Sequence, residues 1–256
     1  IEDMSEAANA GGEVLIGRES TVIPGRFGEA VTVGYGLVSR EGMDAHPTHP
    51  LLLCLHGWGS NEREMADIMQ LIAPYNDYVA LRGPFVLQAG SEDGSRDGSY
   101  AWLHDVLPVG EDLDYDAYAA AQAVDHWVDD NIPAARPVVP LGFSQGGTVA
   151  VHLLRINPER YRAVVSLSGF NAPGMVPVTA PADNRLADLD IPVFYAYGKN
   201  DGVVPKYELF ATAAWLEEHT WLKTKSYYAL DHNVSLEEFA DLRQWLLDND
   251  ITSGVL

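Results

Sequence analysis

The pattern of apolar and polar residues changes near residue 50. Before that point, short alternating stretches at residues 13–16 and 30–35 are separated by glycine and proline, which predicts antiparallel edge strands. After it, short continuous apolar runs alternate with longer segments of helical period. Strands that are apolar throughout are buried on both faces, and their alternation with helices is typical of a parallel sheet covered on each side. The sequence therefore predicts an α/β fold.

The individual elements follow from the same pattern. No internal repeat or Ser/Gly linker divides the 256 residues, and a chain of this length can enclose one hydrophobic core. We therefore expect a single domain over residues 1–256, with a ligand crevice formed by the loops that leave the carboxyl ends of the strands. The predicted strands are residues 51–55, 78–81, 138–141, 163–167, 193–197 and 224–228. The predicted helices are residues 62–73, 115–128, 148–156, 207–219 and 236–247.

The net charge limits the classes of partner that we expect for this domain. Apolar residues form 47% of the chain, which is enough for a globular core. The 16 lysines and arginines face 37 aspartates and glutamates, which gives a formal net charge of −21. Because nucleic acids and anionic membranes recruit basic surfaces, we expect neither as a partner. Acids are concentrated in residues 91–130, where we expect a solvated acidic face.

Metal and disulfide chemistry find little support in the residues. Cys54 is the only cysteine, which excludes an intrachain disulfide and a cysteine-based zinc site, and its apolar neighbours predict a small buried side chain. Residues 112–116 carry alternate carboxylates, but they lack the glycine of a calcium loop, and Ala123 stands where that loop needs glutamate. The glycine-rich segment 142–147 has no lysine for a phosphate group. We expect no metal and no cofactor.

No membrane span is predicted. No apolar stretch reaches the length of about 18 residues that a membrane-spanning helix needs. The chain begins at Ile1 without an initiator methionine, so a leader segment that has been cleaved off stays an open alternative. A cytoplasmic location is the expectation. No pattern in the sequence specifies the oligomeric state.

The strongest chemical signal is a Gly-x-Ser-x-Gly motif at residues 142–146, between a predicted strand and a predicted helix. Such a nucleophile elbow needs glycine on both sides of the serine, because the turn is sharp and the neighbouring backbone leaves no room for a Cβ atom. Ser144 is therefore the candidate nucleophile. The alternative is a glycine-rich turn with an ordinary N-cap serine.

A serine nucleophile needs a base and a carboxylate that orients it. Of the eight histidines, His232 alone follows a late strand and precedes the final helix. Asp201 follows the strand at residues 193–197, and the order Ser144, Asp201, His232 is that of an α/β-hydrolase triad. Asp231 is a rival acid, although a direct neighbour rarely reaches the far ring nitrogen. His232 as an unrelated loop residue, and Asp201 as a turn residue, are the remaining alternatives.

Acyl transfer also needs two backbone N–H groups that face the developing oxyanion. Gln145, immediately after the nucleophile, supplies one by the construction of the elbow. Trp58, in the glycine-rich loop after the first parallel strand, is the candidate for the other. His56 in the same loop is interpreted as a structural histidine rather than as a second base.

Four loop segments carry these residues: 55–60 (LHGWGS), 142–147 (GFSQGG), 198–205 (GKNDGVVP) and 231–232 (DH). Together they resemble the phospholipase/carboxylesterase family of α/β hydrolases, which includes the acyl-protein thioesterases, over roughly residues 48–250. The resemblance implies Ser144, Asp201 and His232 as the triad, with Gln145 and Trp58 as oxyanion donors. The chain departs from the family at residues 99–105, where a Trp-Phe-Asp-like stretch is usual, and at Asn233, where a small residue is usual.

These features predict a cofactor-independent serine esterase or thioesterase that works through an acyl-enzyme. A ligand-binding module on the same fold, and a peptidase or lactone hydrolase with the same triad, are the alternatives. Residues 169–190 carry three prolines, which argues against a long cap helix and predicts an open site. A net charge of −21 favours neutral short-to-medium acyl esters over anionic ones. The candidate substrate-binding residues are Trp102, Phe170 and Val204, which would bound the site together with Trp58. These side chains are exposed if they bind substrate, and ordinary loop packing is the alternative.

Overall fold

The fold is taken from a computed structural model, which describes residues 14–17, 23–24 and 30–253. Residue 13, at the start of the first predicted strand, lies outside the described residues. Twelve strands and six α-helices are described. The strands are β1 Val14–Gly17, β2 Ile23–Pro24, β3 Ala30–Val31, β4 Tyr35–Val38, β5 Leu51–Leu55, β6 Tyr78–Leu81, β7 Phe85–Gln88, β8 Ser99–Ala101, β9 Val138–Phe143, β10 Val164–Leu167, β11 Pro192–Gly198 and β12 Trp221–Tyr227. The helices are α1 Glu62–Ile72, α2 Gly110–Asn131, α3 Gln145–Ile156, α4 Asp183–Leu186, α5 Lys206–His219 and α6 Leu236–Asp248.

Eight strands form one mixed sheet in the order β1, β4, β6, β5, β9, β10, β11, β12. The six strands from β6 to β12 in that order are parallel, whereas β1 and β4 are antiparallel at one edge. The predicted α/β fold with antiparallel N-terminal edge strands is therefore confirmed. Two short hairpins, β2 with β3 and β7 with β8, lie outside this sheet.

The sheet is covered on both faces because its central strands are apolar on both sides. In β5, Leu51, Leu53 and Leu55 point into the core cluster under α2, α3 and α5. Leu52 and Cys54 point into the opposite cluster, which includes residues of α1 and α6. Alternate side chains of a strand face opposite sides of the sheet, so a run without polar residues supplies both cores at once.

Cys54 is fully buried, as predicted. Burial also raises the pKa of its thiol far above the usual value, because the interior disfavours the thiolate. The residue acts as a small apolar side chain in the core.

Helices begin where local capping favours them. Asn61 caps α1, since its side-chain oxygen accepts hydrogen bonds from the backbone N–H groups of Arg63 and Glu64, each at 3.0 Å. Met65, Met69 and Ile72 then form the buried stripe of that helix. Ser235 caps α6 in the same way through the N–H group of Glu238.

The connection from β10 to β11 contains only short helices among its described residues. The α4 helix has four residues, and the two 3₁₀ helices, Pro177–Thr179 and Ala187–Leu189, have three residues each. The predicted absence of a long cap helix in this segment is confirmed. No described helix is both long enough and apolar enough to cross a membrane. That the whole chain forms one domain stays a prediction.

Candidate active site

Ser144 occupies a sharp turn between β9 and α3. Its φ of 54° and ψ of −117° are strained for a residue with a side chain. A Cβ atom on Gly142 would overlap the backbone of Gly146, and one on Gly146 would overlap the carbonyl oxygen of Leu55. The two glycines of the motif are thus required by close backbone contact, which is the geometry of a nucleophile elbow.

His232 lies in the loop between β12 and α6 and contacts Ser144 directly. Its Nε2 atom is 2.9 Å from Ser144 Oγ, and its Nδ1 atom is 2.7 Å from Asp201 Oδ2. The ring also packs against Phe143, with the ring centroids 5.1 Å apart. The structure therefore brings together the three residues that were predicted from separate loops.

Asp201 is held by its own turn. Its Oδ1 atom accepts hydrogen bonds from the backbone N–H groups of Val203 and Val204, both at 2.8 Å, which leaves Oδ2 for His232. The rival carboxylate, Asp231, is exposed, and His232 Nδ1 is bonded to Asp201 instead.

Tight packing between two loops fixes the distance from Asp201 to His232. A Cβ atom on Gly198, at the end of β11, would overlap the carbonyl oxygens of Leu230 and Asp231. The backbone N–H of Asn200 donates to the Leu230 carbonyl at 2.9 Å. Glycine at this position allows the acid loop and the histidine loop to meet backbone to backbone.

This arrangement has a defined protonation pattern. When the Nδ1–H of His232 donates to the Asp201 carboxylate, Nε2 carries the lone pair and can accept the proton of Ser144 Oγ. The same carboxylate stabilises the imidazolium that results. This pattern is the one that a candidate serine triad requires.

The two candidate oxyanion donors lie beside the nucleophile. Gln145 is the first residue of α3, and helical geometry leaves the N–H groups of the first turn without acceptors inside the helix. The loop after β5 approaches Ser144 from the other side, since a Cβ atom on Gly57 would stand 3.4 Å from Ser144 Cβ. Trp58, the next residue in that loop, is half-buried.

His56 supports this loop from within. It is fully buried, its Nδ1–H donates to the Gly57 carbonyl at 2.7 Å, and its Nε2 accepts the N–H of Gly83 at 2.9 Å. Burial lowers the pKa of His56 to about 4, so the ring stays neutral at pH 7. The interpretation of His56 as a structural histidine is confirmed.

The side chain of Gln145 has a positioning role that the sequence analysis missed. Its Oε1 atom accepts the backbone N–H groups of Trp102 and Leu103, at 3.1 and 3.2 Å. Its Nε2 atom donates to the carbonyls of Asp105 and Val106, at 2.6 and 3.1 Å. The residue after the nucleophile thereby fixes the loop at residues 102–106. The local sequence around residue 145 gives no signal of this role.

Of the two alternatives for Trp102, Phe170 and Val204, exposure is wrong and loop packing holds, because their exposed fractions are 0%, 2% and 1%. Trp102 instead packs against His56 and donates its indole N–H to the His56 carbonyl at 2.9 Å. Val204 is drawn inward by the hydrogen bond from its N–H to Asp201. Loop residues beside a triad are buried here because they build the backbone that carries it.

Two cavities flank the triad loops. One, of about 290 Å³, lies between the loop after β5 and the histidine loop. The other, of about 490 Å³, lies along α5, and we call it the α5 groove. The first cavity is lined by residues that include Trp58, Met65, Ile68, Phe143, Asn233 and Val234. The α5 groove is lined by residues that include Leu107, Leu113, Phe170, Glu208, Thr212 and Trp215.

The acidic segment 91–130 is only partly a solvated face. Asp114 and Asp116 are 0% and 4% exposed, against the expectation for that segment. Asp114 accepts the backbone N–H groups of Gly174 and Val176, and Asp116 accepts the backbone N–H and Nδ1–H of His104. These buried carboxylates satisfy loop donors, so they hold the loops around the α5 groove.

Metal-ligating side chains do not converge in the described part of the chain. No group of three or more histidines, cysteines, aspartates or glutamates with the spacing of a metal site occurs among residues 14–17, 23–24 and 30–253.

The sheet order and the serine turn after β9 define the α/β-hydrolase fold, and solved structures agree. Acyl-protein thioesterase 2 of Zea mays superposes with a TM-score of 0.65 at 22% identity, over 84% of this chain and 98% of that one. A carboxylesterase from Mesorhizobium loti gives a TM-score of 0.62 at 19% identity, over 84% and 94%. At these identities the likeness shows the fold.

Residues 42–249 match the model of the phospholipase/carboxylesterase family, so the chain belongs to this family. Acyl-protein thioesterase 1 of Kluyveromyces lactis is 30% identical over 122 residues, which are 46% of this chain and 52% of that protein. Acyl-protein thioesterase 1 of Cryptococcus neoformans is 28% identical over 142 residues, or 47% and 55%. The chain thus spans about half the length of the curated relatives it matches.

Proposed function

We propose that this protein is a serine hydrolase that cleaves carboxylic ester bonds through an acyl-enzyme, with Ser144, His232 and Asp201 as its triad. The observation that carries the proposal is the pair of hydrogen bonds of His232, at 2.9 Å to Ser144 and at 2.7 Å to Asp201. Membership of a family of phospholipases and carboxylesterases supports it.

In the proposed reaction, Ser144 Oγ attacks the ester carbonyl while His232 Nε2 takes its proton. The C–O bond to the leaving group then breaks, and the same proton passes from His232 to the departing alcohol. Water, activated by His232, next attacks the acyl carbon and releases the acid and the free serine. The backbone N–H groups of Gln145 and Trp58 are the proposed donors to the oxyanion in both steps.

The proposed substrates are neutral esters of short-to-medium acyl chains. With a net charge of −21, the field of the protein repels anionic acyl donors, and added salt weakens this repulsion. Hydrolysis of acyl-proteins, acyl-thioesters or lysophospholipids is the alternative, since two relatives are named acyl-protein thioesterases. A small-molecule ester is the proposed partner, and nucleic acid is not.

A fluorophosphonate probe followed by a panel of p-nitrophenyl esters and acyl-thioesters tests the proposal. We expect labelling of Ser144 and turnover that Ser144→Ala lowers by about 10⁴-fold or more, because Oγ is the atom that forms the acyl-enzyme. As a control for folding, the variant should unfold at the same temperature as the wild type. A protein that the probe leaves unlabelled and that hydrolyses none of the panel would favour the ligand-binding module on this fold. A Ser144→Ala variant with a tenth of wild-type turnover would show that Ser144 is not the nucleophile.

A further inference from the structure

The α5 groove is lined by elements that neighbour those carrying the nucleophile and the acid. On one side, the backbone N–H of Phe170 donates to Thr148 Oγ1 at 3.2 Å, and Thr148 lies one helical turn after Ser144. On the other side, α5 begins at Lys206, five residues after Asp201. The groove of about 490 Å³ is therefore built beside the elements that carry the nucleophile and the acid.

The walls of the groove are mainly apolar, and α5 supplies its polar groups. Glu208 is the only lining residue with a formal charge among those described. Thr212, one turn later on the same helix face, is buried, and its hydroxyl is closed off from the groove beside Tyr195. The Glu208 carboxylate is thus the charged acceptor that α5 presents to the groove.

No basic side chain lines the groove to offset this carboxylate. Arg155 lies behind the wall of the groove and is fully buried, and its guanidinium nitrogens are engaged in hydrogen bonds. Its Nε and Nη2 atoms donate to Asp183 at 2.8 and 2.6 Å, and its Nη1 atom donates to Asn171 and the Ala172 carbonyl. A cation that enters the groove is therefore attracted by the Glu208 carboxylate, whereas an anion is repelled by it.

We propose that the α5 groove binds the acyl part of substrates that carry a protonated amine, with Glu208 as its acceptor. Glu208 is the specificity-determining residue, and this inference rests on the proposed hydrolase function. Apolar walls suit the methylenes between the carbonyl and the amine, and an ammonium can donate a charge-assisted hydrogen bond to the carboxylate. The proposed order of preference is then cationic esters first, neutral esters second and anionic esters last.

Glu208 also lies in the first turn of α5, where a carboxylate stabilises the helix dipole. That structural role predicts a change in thermal stability on substitution but no change in the ranking of substrates. The test therefore measures both the melting temperature and the ratio of kcat/KM values between matched esters.

Three p-nitrophenyl esters differ only at the far end of the acyl chain: 6-aminohexanoate, heptanoate and the monoester of heptanedioate. For the wild type at low salt, we expect kcat/KM to be highest for the cationic ester and lowest for the anionic one. Glu208→Gln should lower the cationic-to-neutral ratio by about threefold to tenfold, the range of a partly exposed ion pair. Thr212→Val should leave the same ratio unchanged, because the Thr212 hydroxyl is closed off from the groove.

Glu217→Gln is the matched control, since it removes one exposed carboxylate from the same helix without touching the groove. An unchanged ratio in Glu208→Gln, or an equal fall in Glu217→Gln, would overturn the inference. The electrostatic field of the whole protein would then account for the substrate preference. If the wild type hydrolyses none of the three esters, the proposed function fails. Calorimetry with 6-aminohexanamide then tests separately whether the groove binds a protonated amine. Binding that Glu208→Gln weakens and Glu217→Gln retains would support the site, and absence of binding would refute it.

Discussion

At the scale of single residues, two carboxylates compete for the role of the acid. Asp201 is buried and reaches Nδ1 of His232 at 2.7 Å, whereas Asp231 is exposed beside the histidine in sequence. We expect Asp201→Asn to lower kcat by about 10³ to 10⁴, because an amide favours the wrong tautomer of the imidazole. Steady-state kinetics on one ester check this, with Asp231→Asn as the matched variant and an expected loss below about tenfold. The opposite ranking would assign the acid to Asp231.

The three residues of the candidate triad could be brought together from the sequence because each has a local signature in the chain. Ser144 lies between two glycines, and Asp201 and His232 each follow an apolar strand at the carboxyl edge of the sheet. The burial of Trp102 and the four hydrogen bonds of the Gln145 side chain had no such signature. Both arise from contacts between residues 39 to 46 positions apart, which a linear pattern does not contain.

At the scale of elements, α6 carries a carboxylate in an unfavourable position. Glu238 is fully buried, and no basic side chain pairs with its carboxylate among the described residues. Burial, with a smaller contribution from Asp241, raises the pKa of Glu238 to about 8, although the backbone N–H of Ser235 acts in the opposite direction. The folded protein therefore retains a proton that the unfolded chain releases above its ordinary pKa near 4.5. Stability is lost between pH 4.5 and pH 8 as the pH rises.

Glu238→Gln should remove this loss. At pH 7 we expect the variant to be more stable than the wild type by about 2 to 3 kcal/mol, and the two proteins to converge toward pH 4.5. Urea unfolding at several pH values measures the difference. Glu237→Gln, an exposed neighbour in the same helical turn, is the control and should leave the pH dependence unchanged. Equal stabilities of Glu238→Gln and the wild type at pH 7 would show that the buried carboxylate finds a partner in solution.

The elements themselves were predictable to different degrees. The predicted ends of β5 and β6 agree with the structure, because those strands are apolar along their whole length. The helix α2 begins at Gly110 rather than at residue 115, since its first turn is acidic and is favoured by the helix dipole instead of by an apolar stripe. The β7 and β8 hairpin was not predicted, because its strands are short and three of the four β7 residues are exposed.

At the scale of the whole molecule, two buried histidines change the stability with pH in the direction opposite to Glu238. Burial lowers the pKa of His56 to about 4 and, together with the charge of Arg155, lowers the pKa of His152 to about 3. In the unfolded chain both would titrate near 6.5, so the unfolded state binds more protons below that pH. Each histidine therefore contributes stability that is present above pH 6.5 and is lost as the pH falls toward its folded-state pKa.

These three groups together predict a stability maximum near pH 6.5. Between pH 6.5 and pH 8 only Glu238 titrates differently in the two states, so stability falls as the pH rises. Below pH 6.5 the two histidines outweigh the single glutamate, so stability falls as the pH drops. His152→Gln should keep the donor to the Thr179 carbonyl, at 2.7 Å in the wild type, and should reduce the loss from pH 6.5 to pH 4 by about 3 kcal/mol. Urea unfolding across this range measures the loss, with His126→Gln on the exposed face of α2 as the control. A wild-type curve that rises steadily from pH 6.5 to pH 8 would contradict the balance of buried groups.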